Sequence, residues 1–214
     1  TNAQTAELVK LAENAYRDTN IAFANEMSLV CNQLDIDVWQ MIDLANLHPR
    51  VEILKPGPGV GGHCIAVDPW FIVDSATEQT PLIQASRQVN DGKPVWVIEQ
   101  TLKAAPANSA IACLGLAYKA DIDDLRESPA MAIVEQLAGQ HTGEILVAEP
   151  NITELPPALA AHKNVTLLPY EKAVQNAETV LLLTDHREFK AMDQTAALDG
   201  KNILDTRGIW QKRL

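Results

Sequence analysis

Positive charge is scarce: 17 Lys and Arg stand against 28 Asp and Glu, a formal net charge of −11 over 214 residues. That balance excludes a general binder of nucleic acid or of anionic membrane surfaces, because both need a positive face. Cysteine is scarce too. Cys31, Cys64 and Cys113 are odd in number, far apart and form no CxxC, which excludes a disulfide framework and a thiolate zinc site and fits a reducing cytoplasm. Cys31 and Cys113 stand among apolar neighbours, as small buried hydrophobes do. No run of about 18 uninterrupted apolar residues occurs, so no membrane-spanning helix is expected. No leader pattern opens the sequence. It starts within a helical pattern, TAELVKLAENAYRD, and reads as part of something longer. Apolar residues are plentiful, 47% against 21% charged, enough for a sizeable core and too many for disorder.

The periodicity divides the chain. From 5 to 34 apolar residues recur at helical spacing with no Pro or Gly. A second helix is expected over 38–47, stopped by Pro49, and a third over 81–103 with a break near Gly92–Pro94. So long a first helix leaves a face that a second copy would cover. AAPANS at 104–109 reads as a linker, giving domains 1–105 and 106–214. Beyond it the apolar runs shorten. IACLGLAY, EILVAEP, VTLLP, TVLLLTD and NILDT read as buried strands, and SPAMAIVEQLAGQ, YEKAVQNAE and REFKAMD as helices between them. The expected class is α/β: a helical first domain, then a Rossmann-like, doubly wound parallel sheet. Ligands of such sheets sit at the carboxyl ends of the strands.

The segment 55–70, KPGPGVGGHCIAVDPW, carries the most chemistry. Gly57, Gly59, Gly61 and Gly62 let the backbone turn sharply and approach a ligand closely. A helical turn starting after Gly62 would put Cys64 at its N-terminus, where unpaired N–H groups favour thiolate. Asp68 then lies one turn on, on the same face. A lone cysteine is usually a packing residue; one between a glycine loop and a carboxylate is placed to react. GPGVGG follows no strand and is not a dinucleotide fingerprint. Asp121, Asp123 and Asp124 read as loop and turn residues, and no metal site is expected.

GVGGHCIAVDPWF resembles the active-site loop of the UDP-glucose/GDP-mannose dehydrogenase family. Its GGHCI-x-VDP form is similar to the branch acting on UDP-N-acetylhexosamines. AELVKLAEN, NIAFANE, AYKADIDDLRESPAM, LLLTDHREFK and LDTRGIW extend the resemblance over essentially the whole chain. It implies a central helical dimerisation domain with the catalytic Cys loop, then a UDP-sugar-binding domain, as a homodimer. The NAD-binding Rossmann domain of the family is absent from this chain, so the fragment alone would be inactive. The implied reaction is a two-step, four-electron oxidation of the C6 alcohol of UDP-N-acetyl-D-mannosamine to a carboxylate, with two NAD molecules consumed. A Cys thiohemiacetal lies between the steps, and the second step turns it into a thioester that water hydrolyses. The gluco epimer is an alternative substrate, and a non-catalytic UDP-sugar-binding dimerisation module is an alternative of another class.

The resemblance also distributes roles. Cys64 matches the nucleophile. Lys10 and Asn14 match a K-x-x-x-N pair that stabilises the oxyanion, Lys10 also exchanging a proton with the C6 oxygen. On residues alone Lys10 reads as part of a solvated face beside Glu7 and Glu13. Asp68 matches the carboxylate that supports the thiol or activates water. Arg50 matches an arginine that reaches the neighbouring subunit's substrate, with His48 beside it. Gly61 would line the sugar. Arg17 could reach the same cavity or pair at the surface with Glu13 or Asp18. Tyr118 and Lys119 match nucleotide-sugar contacts, and Arg126 an arginine that reaches NAD. Arg207 follows the last strand and is a candidate substrate contact. His63 replaces a serine of other branches. His186, at another strand end, acquires no role.

Overall fold

The uninterrupted run at the start forms one helix of 32 residues, α1 (Ala3–Leu34), in a computed structural model that describes residues 2–192 and 197–210. Asn2 caps α1 by accepting the Thr5 N–H at 2.8 Å, and Asp35 ends it in the left-handed region at φ 57°. α2 (Val38–Ala45) starts at Asp37, whose carboxylate accepts the N–H groups of Trp39 and Gln40. α3 (Asp68–Ser75) leads through a short 3-10 turn into α4 (Pro81–Ala104).

The break expected near Gly92–Pro94 does not occur, since both residues lie inside α4. Pro94 removes one helical N–H donor without ending the helix. It nevertheless marks a division. The chain forms two compact units, one up to Lys93 and one from Pro94. The reason is packing: Val97 and Ile98 are buried with the sheet of the second unit, and Leu102 packs against them.

That sheet has five parallel strands in the order β3-β2-β1-β4-β5. They are β1 (Ile111–Leu114), β2 (Ile145–Ala148), β3 (Val165–Leu167), β4 (Thr179–Leu182) and β5 (Asn202–Asp205). Alternate residues serve opposite faces. Ile111, Cys113, Ile145 and Val147 pack with α5 (Pro129–Gln140) in one core layer. Ala112, Leu114, Leu146 and Val180 pack with α7 (Tyr170–Asn176) in the other. Burial on both faces explains runs without polar alternation. α6 (Pro157–Ala160) was not expected, and α8 (Arg187–Lys190) is shorter than REFKAMD, whose Asp193 lies outside the described residues. β1 leads to β2 on one side and β4 on the other, so the crevice at their carboxyl ends is the switch point of the sheet. Gly115 makes that edge possible. Its φ is +94°, and a Cβ there would sit 2.4 Å from the Thr184 Cβ. Among the described residues no helix is long and apolar enough to cross a membrane.

Candidate functional site

In the first unit, α1 holds the glycine loop through amide side chains. Asn20 donates to the Glu52 carbonyl at 2.8 Å and accepts the Leu54 N–H at 3.0 Å. Asn25 Oδ1 accepts the Gly57 N–H at 2.9 Å. Behind Asn25 runs a buried polar chain. Its Nδ2 donates to Asn90 Oδ1 at 2.9 Å, Asn90 donates to Asp18 Oδ1 at 2.8 Å, and Arg87 donates to the same oxygen at 2.6 Å. Asp18, Asn25, Arg87 and Asn90 are all at most 2% exposed. Burial pushes the Asp18 carboxyl up, against the pull of Arg87. Asp18, one of the two surface partners open to Arg17 in the sequence, is interior, and Glu13 pairs with Lys10.

After Gly62, at φ 82°, the chain turns through His63–Val67. A turn does start after Gly62, and the regular helix α3 begins at Asp68. The cause is Pro69, which suits the first helical turn and has no N–H to continue the ladder backwards. Cys64 therefore joins α3 through its carbonyl, which accepts the N–H groups of Val67 at 3.2 Å and Asp68 at 2.9 Å. Its side chain is exposed, whereas Cys31 and Cys113 are buried. Burial pushes the Cys31 thiol up, and the Cys113 thiol up to about 12.

The fold brings Asn14 and Asp68 together: Asn14, 2% exposed, donates Nδ2 to Asp68 Oδ2 at 2.6 Å. Lys10, one turn earlier, is exposed, with its ammonium 3.7 Å from Glu13. Arg17 is exposed and Gly61 half-buried. His48 and Arg50 share an exposed turn in which His48 Nδ1 accepts the Arg50 N–H at 3.2 Å.

Sequence reasoning missed Asp18, Asn25, Arg87, Asn90 and Lys93. The only signal was their spacing, since Asn14, Asp18 and Asn25 fall on one face of α1. Lys93 is 4% exposed and donates to Ser28 Oγ at 2.6 Å, and burial lowers its ammonium to about 8. Between pH 8 and the ordinary lysine value the unfolded chain holds a proton that the folded one has released. Stability of this unit is therefore expected to rise with pH across that window. Denaturant midpoints from pH 7.5 to 10 measure it, and Lys93→Met should flatten the rise.

In the second unit, Tyr118 and Lys119 leave the carboxyl end of β1 and are exposed. Arg126 is exposed and forks onto Asp124, with Nε–Oδ1 at 2.9 Å and Nη2–Oδ2 at 2.7 Å. Arg207 is part-buried and paired with Asp185 at 3.1 Å. Hydrogen bonding and charge from Lys190 and Arg207 outweigh burial and hold the Asp185 carboxyl below its usual range. The turn after β1 does not suit a dinucleotide. The N–H groups of Leu116 and Ala117, where a pyrophosphate would sit, already meet Glu149 at 2.7 and 3.1 Å.

The UDP-glucose/GDP-mannose dehydrogenase family model for the central domain matches residues 4–92, and that for the UDP binding domain matches 112–212. The chain belongs to this family. It is 53% identical over its full length to an NDP-N-acetyl-D-galactosaminuronic acid dehydrogenase of Ralstonia nicotianae, covering 50% of that protein. It is 52% identical over 99% of its length to a UDP-N-acetyl-D-mannosamine dehydrogenase of Salmonella typhi, covering 52% of it. The solved UDP-D-ManNAc dehydrogenase of Pyrococcus horikoshii superposes with a TM-score of 0.85 at 37% identity, over 99% of this chain and 50% of that one. The chain thus spans about half the length of the dehydrogenases it matches. Within the UDP-glucose/GDP-mannose dehydrogenase family the two matched domains correspond to the two compact units, with the second half of α4 outside both matches.

Proposed function

We propose that this chain carries the thiol chemistry of an NAD-dependent dehydrogenase that oxidises C6 of UDP-N-acetyl-D-mannosamine to the uronate. The observation that supports it best is an exposed Cys64 tied by one turn to Asp68, whose carboxylate is held by the buried Asn14. NAD, bound chiefly outside this chain, accepts two electrons in each oxidation. Lys10 and the second amide N–H of Asn14 face the C6 oxygen and stabilise its negative charge. The Cys64 sulfur adds to the aldehyde carbon, and loss of two electrons from that adduct leaves a thioester. Asp68 takes a proton from the water that cleaves the thioester, releasing carboxylate and thiol.

Arg50 and His48 serve the partner's substrate, and Arg17 and the Gly61 backbone line the sugar. Tyr118, Lys119 and Arg207 contact the nucleotide sugar, and Arg126 turns from Asp124 towards NAD. A homodimer is supported by α1, where Val9, Tyr16, Phe23 and Val30 repeat every seven residues and are 53%, 67%, 50% and 40% exposed. Three free cysteines suit a reducing cytoplasm.

The test is NADH counted per sugar, using this chain within its full-length protein. Two per sugar with the manno epimer is expected. A galacto preference would favour the reading suggested by the Ralstonia relative's name. No NADH from any UDP-N-acetylhexosamine, with UDP still bound, would favour a binding module.

A further inference from the structure

The connection from β1 to α5 carries Tyr118 and Lys119, and buried side chains fasten its first part on every side. Glu149, just past β2, is 4% exposed. Its Oε2 accepts the N–H groups of Leu116 and Ala117, and its Oε1 accepts from the backbone and side chain of Asn151 at 3.2 and 3.1 Å. Thr184 Oγ1 donates to the Ala117 carbonyl at 2.7 Å, and Ser128 Oγ to the Leu116 carbonyl at 2.6 Å. His186, fully buried after β4, lies between Glu149 and the far end of the turn. Its Nε2 is 3.0 Å from Glu149 Oε2, and its Nδ1 is 3.0 Å from the Asp121 backbone nitrogen.

A backbone N–H can only donate, so Nδ1 carries the lone pair and Nε2 the proton. The imidazole is neutral and bridges a carboxylate to a loop amide. Asp121, His186 and Glu188 bring one possible metal-ligating atom each within 4.8 Å of the others. The His186 lone pair there is already taken by the Asp121 N–H, so the group is a hydrogen-bonded corner. Burial alone would raise the Glu149 carboxyl. The His186 hydrogen bond and the backbone N–H groups overturn that and hold it below the usual range.

In dinucleotide-binding sheets, the N–H groups of this turn hold a pyrophosphate and an acid after the second strand meets a ribose. Here the acid turns inward and fills the anion seat itself. We propose that Glu149 and His186 form an internal clamp that occupies this seat and fixes the Tyr118–Lys119 segment in the pose that receives the nucleotide of the substrate. The proposal deepens the function proposed above and rests on it. Glu149 and His186 are positioning residues: neither touches the substrate, and each acts through backbone N–H groups of the segment.

Two substitutions separate the halves of the clamp. His186→Asn keeps an acceptor for the Asp121 N–H, and His186→Gln keeps a donor for Glu149. His186→Leu keeps neither. The probes are UDP in titration calorimetry and amide hydrogen exchange, on the full-length protein. His186→Leu should weaken UDP binding by roughly tenfold, about 1.4 kcal/mol. It should also speed exchange at Leu116, Ala117 and Asp121. His186→Asn should restore protection at Asp121 alone, and His186→Gln at Leu116 and Ala117 alone. Folded His186→Leu with unchanged exchange and UDP affinity overturns the clamp. If His186→Leu does not fold, the other two decide, and identical exchange patterns in both overturn it. Failure of the unsubstituted protein to bind UDP would strike the substrate assignment instead, with the exchange pattern still judging the clamp.

Discussion

Replacing Cys64 with Ala in the full-length protein is expected, on the proposed function, to lower turnover to carboxylate by a factor on the order of 10⁴ or more, the scale on which loss of a covalent nucleophile acts. The first oxidation needs no sulfur, so the variant should still yield at most one NADH per sugar and release or retain an aldehyde. Without a thiol there is no covalent adduct whose second oxidation gives an acyl group. Cys64→Ser should also fail, because an alkoxide adds and leaves far less readily than a thiolate near neutral pH. Steady-state NADH formation and product mass measure both. The same substitutions should leave folding intact, since Cys64 is exposed and, among the described residues, its hydrogen bonds run through its backbone carbonyl. Loss of turnover with an unchanged melting midpoint therefore reports on chemistry.

The second large effect is on stability. Arg87→Met leaves the Asp18 carboxylate, 0% exposed, with Asn90 as its one remaining side-chain partner among the described residues. Uncoupling a buried ion pair in this way costs about 3–5 kcal/mol. Against a usual domain stability of about 5–15 kcal/mol, that should unfold the first unit well below the midpoint of the unsubstituted protein. Arg87 also pairs with the half-exposed Asp91, but that contact, being partly in water, contributes little. The pair is itself imperfectly satisfied: Asp18 Oδ2 and Arg87 Nε find no hydrogen-bond partner among the described residues. The double change Asp18→Leu with Arg87→Met should accordingly recover most of the loss. Denaturant midpoints of the single and double variants give the coupling directly. Because Asn90 and Asn25 relay this pair to the Gly57 N–H, the single variant should also loosen the loop that carries Cys64.

The sheet was legible because parallel strands buried on both faces lose their polar alternation, and all five apolar runs stand where strands form. Which core the second half of α4 joins was not. Val97 and Ile98 look the same in sequence whichever core they join, and AAPANS attracts attention as the obvious linker. The turn after Gly62 was legible from the glycines, whereas the start of regular helix at Asp68 reflects Pro69 in its first turn. The Asn14–Asp68 contact joins residues 54 positions apart, and the motif resemblance gave each residue a role without pairing them. The buried chain from Asp18 to Gly57 escaped notice for a physical reason. A helical-face reading assigns polar residues to solvent, whereas here each polar group finds a partner on a distant element. Glu149 and His186 are hidden in the same way, 37 positions apart and joined only by the folding of β2 and β4 into one sheet.

The most direct test of the account is to look for the acyl intermediate itself. Full-length protein is mixed with UDP-N-acetyl-D-mannosamine and NAD, quenched in acid within one turnover, digested and mapped by mass. An adduct with the mass of the sugar-nucleotide acyl group is expected on the peptide containing Cys64, absent from those containing Cys31 and Cys113 and lost on treatment with hydroxylamine. Turnover to carboxylate that continues undiminished in Cys64→Ala, with no adduct on the unsubstituted protein at any quench time, would contradict it.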